Sequence, residues 1–269
     1  MADPSYWELH DAACARGEAT YTAPETGYMV FTRLGLAQRD QCCGAGCRHC
    51  PFGHESVHLA VRAKRIQQAA WLSEARPDTE APCAVLFWSG GKDSFLAYRA
   101  LQRDGVTNLA LLTTFDARSR IIAHQEFGID EVVKQAAHLN LPLIGVPLHS
   151  GGDYIDHITP ALDLVPGCDT LVFGDLHLEH IRGWRQDAFG SAPRTADMAL
   201  SFPLWLANYD ALWDDLAASG ATCTISAVAA DLPGVAVGDL FDQALMDRLP
   251  EEVDRFGENG EFHKLISFA

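Results

Sequence analysis

The sequence predicts an α/β protein. A mainly parallel sheet with helices on both faces forms the middle of the chain, a smaller α+β part follows it, and a cysteine-rich appendage precedes it. Three observations predict this. From Cys83 to Phe189, short apolar runs alternate with longer helix-forming stretches, a rhythm that implies parallel strands joined by helical crossovers. One join, Phe87-Trp88-Ser89-Gly90-Gly91-Lys92-Asp93-Ser94, places a glycine turn between an apolar run and a helix. Ahead of it, four of the eight cysteines crowd into residues 42–50.

Taken in order, residues 1–20 show no dependable period, and Tyr28–Thr32 reads as a short strand. Ser56–Ala75 reads as a helix carrying Val57, Val61, Ile66 and Leu72, with Arg62, Lys64 and Arg65 as a solvated face. Arg76-Pro77-Asp78-Thr79-Glu80-Ala81-Pro82 is polar and bracketed by prolines, hence a linker. Strands are then expected at Cys83–Leu86, Leu109–Thr114, Leu143–Leu148 and Thr170–Asp175. Helices are expected from Phe95 through Leu101, Asp130–Leu139, Tyr154–Leu164 and Glu179–Phe189. After about Ser191 the rhythm changes to a helix over Asp210–Ala218, an apolar run Cys223–Val228 and a glycine loop Phe256–His263. The expected organisation is residues 1–76 as a cysteine-rich region, 77–82 as linker, 83–190 as a nucleotide-binding domain and 191–269 as a substrate subdomain.

Net charge is −16, and residues 1–80 carry 8 basic against 10 acidic residues, so the acid excess lies downstream. Nucleic-acid binding normally needs a cationic footprint, which weighs against that partner class. No apolar run approaches the ~18 residues of a membrane span. The start, Met1-Ala2-Asp3-Pro4, shows no secretory signal, and a cytoplasmic location is the expectation.

The glycine turn carries the chemistry. Gly90 and Gly91 permit close backbone approach, and the turn N–H groups and helix N-terminus then point at one anion site. Ser89 and Ser94 add hydroxyls, Lys92 a point charge, and Asp93 a helix cap or a magnesium ligand. The spacing is not that of Walker A. In parallel sheets ligands sit at the carboxyl ends of strands, where Thr113, Thr114, Gly174 and Asp175 fall together with Ser89. Cys42, Cys43, Cys47 and Cys50 contain a C-x-x-C knuckle and suit a structural zinc ion, with His49, His54 or His58 as further donors. An iron–sulfur cluster and plain thiols or a redox disulfide are the alternatives. In the loop Gly257-Glu258-Asn259-Gly260-Glu261-Phe262-His263, the carboxylates Glu258 and Glu261 and the His263 imidazole are candidate proton acceptors, and Asn259 a polar contact for an acyl group.

The motif Ser89–Ser94 matches the loop of the PP-loop ATP pyrophosphatases. Residues 83–263 resemble the diphthine–ammonia ligase branch of that superfamily, on Leu111–Thr114, His124, Gln135-Ala136, Phe173–Leu176, Glu179–Arg182, Phe202–Trp205 and Gly257–His263. The resemblance implies a Rossmann-like (HUP-type) fold and an ATP- and magnesium-dependent reaction. A carboxylate is adenylated, pyrophosphate leaves, and ammonia displaces AMP. It implies pyrophosphate held by Ser89, Gly90, Gly91 and Ser94, charge neutralised by Lys92 and by magnesium at Asp93 or Asp175, adenosine near Thr113 and Thr114, and substrate contacts from Glu179, Arg182 and Asn259. Lys264 stands where the branch usually has Thr. Tyr21–Phe52 resembles a small cysteine-rich family without an assigned role. A PP-loop sulfur transferase using the cysteine cluster is the rival reading, and a non-catalytic ATP-sensing module the next. The expected partners are ATP, a carboxylate substrate and ammonia, with no membrane, and assembly as a homodimer is left open.

Overall fold

The computed structural model describes residues 6–268 except 25, 124, 230 and 231. His124, part of the sequence resemblance, lies outside the described residues. The elements are α1 (Tyr6–Ala15), β1 (Thr20–Thr22), β2 (Met29–Phe31), α2 (Arg33–Ala37), α3 (Leu59–Arg65) and β3 (Ala70–Trp71). There follow β4 (Cys83–Phe87), α4 (Lys92–Arg103), β5 (Leu109–Asp116), α5 (Ile129–Leu139), β6 (Leu143–Leu148), α6 (Tyr154–Leu162), β7 (Cys168–Val172) and α7 (Glu179–Ser191). The chain closes with β8 (Ala199–Ser201), α8 (Tyr209–Ala218), β9 (Thr222–Val228), α9 (Gln243–Asp247) and β10 (Phe262–Ser267).

Six strands form one sheet in the order β3-β6-β5-β4-β7-β8. All neighbours are parallel except β3, which runs antiparallel to β6. The strands are apolar on both sides because both faces are covered. Leu86, Leu111 and Ala84 pack with Phe95, Val132, Leu212 and Ile225 on one face. Val85, Ala110 and Leu112 pack with Ile158, Leu162 and Phe189 on the other. Burying a side chain such as Leu111 or Phe189 is worth about 1.5–3 kcal/mol each. The strand order places β4 in the middle, with β5 and β6 on one side and β7 and β8 on the other. Crevices for ligands form beside such a reversal.

The antiparallel pair β9–β10 forms a separate small sheet. It packs on the α4 side of the main sheet through Ile225, Phe262 and Ile266. No helix among the described residues is long and apolar enough to cross a membrane.

The expected helix over Ser56–Ala75 is corrected. It spans only Leu59–Arg65, because Ile66 turns extended at φ −63° and ψ 142°. The chain then enters the main sheet as β3, which hides Ile66, Ala70 and Leu72 in the core. Edge pairing there overrides local helix propensity. Arg62 is not on a solvated face. Its buried guanidinium donates to the carbonyls of Glu55, Val57 and Trp71. β7 also begins and ends earlier than expected, at Cys168 and Val172. Beyond Val172, Phe173 bonds Ser201 and the backbone leaves the ladder. Gly174 is then free to press on α4, where a Cβ would stand 2.8 Å from the Asp93 carbonyl.

Candidate functional site

The turn between β4 and α4 is pinned from two distant segments, α5 and β10. Gly90 takes φ +78°, and a Cβ there would meet Gln135 Oε1 at 2.9 Å. Gln135 is buried on the core side of α5. Its Oε1 accepts from Trp88 Nε1 at 2.7 Å, and its Nε2 donates to the carbonyls of Gly90 (2.9 Å) and Ile266 (2.6 Å). The Ile266 N–H in turn donates to the Gly90 carbonyl. In the sequence Gln135 stands out only within the Gln135-Ala136 motif. A glutamine among Ile129, Val132 and Ala136 on an apolar helix face was the available signal. Inside the turn, Gly91 N–H donates to Ser89 Oγ at 3.3 Å, and Ser94 Oγ donates to the Gly91 carbonyl at 3.0 Å. α4 starts at Lys92 with no side-chain cap, so its first N–H groups stay available.

A cleft of about 190 Å³ opens between this turn and the loop before β10, lined by Gly91, Lys92, Asp93, Gln125, Glu258, His263 and Lys264 among others. Across it, Lys92 Nζ pairs with the neighbouring Asp93 and reaches Glu258 Oε1 at 3.3 Å. The Lys92 side chain is fully buried. Burial alone would lower its pKa, but the Asp93 and Glu258 charges outweigh it and hold the ammonium above its ordinary value. Burial first, and the Asp93 charge second, push the Glu258 carboxyl up to about 7. Lys264, also buried, donates to the Phe256 carbonyl and lies over the Phe262 ring at 4.5 Å. Burial and the Lys92 charge push it down to about 8. Lys264 and Gln125 are cleft residues that the sequence did not assign to the site, Lys264 being noted only as a departure from the branch pattern. A lysine at a core-facing position of β10, between Phe262 and Ile266, was the signal for the first.

The other carboxylate of this loop has a different place. Glu261 accepts from Asp254 N–H (3.1 Å), Asn259 N–H (3.0 Å) and Asn259 Nδ2 (3.2 Å). It braces its own loop together with Asn259, and of the expected proton acceptors Glu258 is the carboxylate that reaches Lys92. Asp254 continues the brace, accepting from Phe256 N–H, Glu258 N–H and the Tyr209 hydroxyl. Glu258 is thereby held toward Lys92 by a chain of satisfied hydrogen bonds.

β5 runs on to Asp116, so Thr113 and Thr114 lie inside the strand and not at its expected end; Thr113 is fully buried and its hydroxyl has no partner among the described residues. Thr114 bonds the Tyr154 hydroxyl. Asp175 is engaged bidentately by Arg185 at 2.6 and 3.1 Å. Arg182 lies over the Trp205 ring at 4.5 Å and the Phe202 ring at 5.2 Å, while Glu179 opens α7 from an exposed position.

The cysteine loop lies elsewhere, packed under α3. Its thiols stand two by two, with Cys43 and Cys47 Sγ at 3.2 Å and Cys42 and Cys50 Sγ at 3.8 Å. Among the described residues no three His, Cys, Asp or Glu side chains are grouped so as to hold a metal ion. The histidines have other tasks. His49 is buried, stacks on His10 at 3.8 Å and meets the Tyr21 hydroxyl at 2.8 Å, and burial pushes it down to about 3. His54 bonds the Cys47 carbonyl, and His58 accepts from Ala60 N–H to cap α3. The Ala45 N–H and the Cys47 thiol hold the Cys43 thiol below its ordinary value, whereas burial pushes Cys47 up to about 11.

Residues 9–56 match a family described as a family of unknown function (DUF5522). The match covers α1 from Leu9 on, the β1–β2 hairpin, α2 and the whole cysteine loop, and stops short of the sheet and cleft.

Proposed function

We propose that this protein is an ATP-dependent ligase that forms AMP and pyrophosphate and joins a carboxylate to ammonia. The reading rests on one observation above all. A loop 166 residues downstream delivers Glu258 to within 3.3 Å of Lys92, in the glycine turn at the end of the central strand. One cleft therefore combines an anion cradle with a proton acceptor. The strand order, read as a Rossmann-like HUP-type sheet, supports the same position for a nucleotide.

In this reaction a carboxylate oxygen attacks the α-phosphorus of ATP, and the α–β bond breaks. The N–H groups of the turn, with Ser89, Ser94 and Lys92, stabilise charge on the departing pyrophosphate. The Thr113 hydroxyl, otherwise unsatisfied, fits a contact to the nucleoside. Ammonia then attacks the acyl carbon and AMP leaves. Ammonium must first lose a proton, and Glu258, pushed to about 7, is a base matched to neutral pH. His263 lines the same cleft and serves the acceptor side. Asp93 is the carboxylate that fits a magnesium ion at the phosphates; bound there, the ion would neutralise developing charge.

Incubating the protein with ATP, ammonium and a fractionated pool of small carboxylates tests the reading. The expected products are AMP and pyrophosphate in equal amounts, dependent on both co-substrates. ADP as the sole nucleotide product would refute it.

A further inference from the structure

The cysteine loop plays no part in that reaction. Cys43 is exposed and Cys47 sits half-buried behind it, their sulfurs 3.2 Å apart. A disulfide bond is about 2.05 Å long, so closure needs a shift of only about 1 Å. The chain between them, Gly44-Ala45-Gly46, turns through φ +70° at Gly44 and +73° at Gly46, and the Ala45 N–H points at the Cys43 sulfur. The second pair, Cys42 and Cys50, is buried. Arg39 stacks on Phe31 at 4.8 Å and lines a shallow groove with Cys43, Cys47 and Phe52. Residues 31–65 hold six basic against two acidic residues, in a chain of net charge −16.

We propose that Cys43 and Cys47 form a dithiol that reduces small anionic disulfides by thiol–disulfide exchange. The Cys43 thiolate attacks one sulfur of R–S–S–R, forming a mixed disulfide and expelling R–S⁻, which takes up a proton. Cys47 gives up its proton and attacks the Cys43 sulfur, expelling the second R–S⁻. The chain ends with a Cys43–Cys47 disulfide and two R–SH, two electrons having passed to the substrate. Excess R–SH reverses the steps. Arg39 and the basic segment favour substrates bearing carboxylates.

The test uses the full chain, reduced and handled without oxygen, with oxidised glutathione as probe. Two glutathione thiols should be released per chain, and peptide mapping after alkylation should find Cys43 joined to Cys47. Cys47→Ser should stop at a glutathione adduct on Cys43, and Cys43→Ser should give no adduct. Oxidised glutathione should react at least ~10-fold faster than the dicationic disulfide cystamine at low ionic strength, and Arg39→Gln should remove that preference. A disulfide mapped to Cys42 and Cys50 would overturn the proposal. So would equal rates for the two probes, or a purified chain whose stoichiometric zinc silences the thiols until a chelator is added. Mapping on the unmodified chain decides the matter even where a variant fails to fold.

Discussion

Gly90 and Gly44 both take positive φ, and a Cβ on either would come within 2.9 Å of another group. Around Gly90 the groups come from far away in sequence: Gln135 and Val132 of α5, the Ile266 backbone of β10 and, one residue on, the Lys264 carbonyl. Around Gly44 they are local, Ser56 and the Gly44 N–H contact to Cys42. The difference separates two uses of a glycine turn. A turn tied to the core through distant segments is held in one geometry, which is what the proposed anion site requires of its N–H groups. A turn held by its own neighbours can change covalent state while the sheet stays as it is.

The largest expected effect attacks the first turn directly. Asp93→Ala should lower AMP-forming turnover by about 1000-fold or more, the scale expected when charge stabilisation of the leaving group is lost. The far-ultraviolet circular dichroism should be unchanged, since Asp93 contributes no core contact. Retained turnover would remove the turn from the chemistry.

Glu258→Gln comes next, with an expected loss of about 100-fold in ammonia-dependent turnover and unaltered ATP binding. It also has a pH signature. The folded pKa of about 7 lies above the ordinary 4.5. The unfolded chain therefore ionises first as pH rises, and the folded state loses stability between about pH 4.5 and 7. The melting temperature of the parent should fall across that window relative to Glu258→Gln. Lys264 has the opposite displacement for a base, so stability should rise with pH between about 8 and 10.5 and flatten in Lys264→Met. Parallel melting curves for parent and variants would contradict the burial of both groups.

Gln135→Leu tests whether the distant ties matter. It keeps the side chain's bulk but leaves Trp88 Nε1 and the Ile266 carbonyl without their side-chain partner. Each unsatisfied buried group costs about 1–3 kcal/mol. Denaturant titration should show a loss of about 2–4 kcal/mol, with turnover reduced about 10-fold as the turn loosens. An unaffected variant would mean that the turn holds its shape locally, as the cysteine loop does, and the contrast between them would disappear.

What the sequence made legible follows the same line between local and distant causes. The turn from β4 to α4 was readable because an apolar run, two glycines and helix formers stand side by side. β5, β6, α5, α6 and α7 were readable from periodicity, with ends shifted by a few residues. β3 was not, since Gln67 through Leu72 resembles a helix until an edge of the sheet offers it partners. β10 was hidden by Lys264, a charge at a buried position of the strand, and α1 by a mixed sequence burying only His10 and Ala13. In the acidic loop, composition marked both Glu258 and Glu261 as candidates. Which one meets Lys92 depends on docking the β9–β10 sheet against α4, an event no local pattern encodes.

The smallest expected effect belongs to the second turn and asks whether the two are independent. Cys43 is exposed and contributes to no core cluster; the ties of its loop to distant segments run through His49 and Cys50, not through Cys43. Cys43→Ser swaps one small group for another at a surface position, where changes usually stay within about ±0.5 kcal/mol. Calorimetry should therefore give the parent transition, and AMP-forming turnover should agree within about 2-fold, whether the parent's Cys43–Cys47 pair is reduced or joined; sites without shared partners act additively. A 10-fold drop in turnover on joining the pair would be about 1.4 kcal/mol of coupling between loops that share no residue. Arg62, which bonds the Trp71 carbonyl of β3, offers such coupling one route into the sheet, and coupling of that size would make the cysteine loop a regulator of the cleft instead of a separate reactive site.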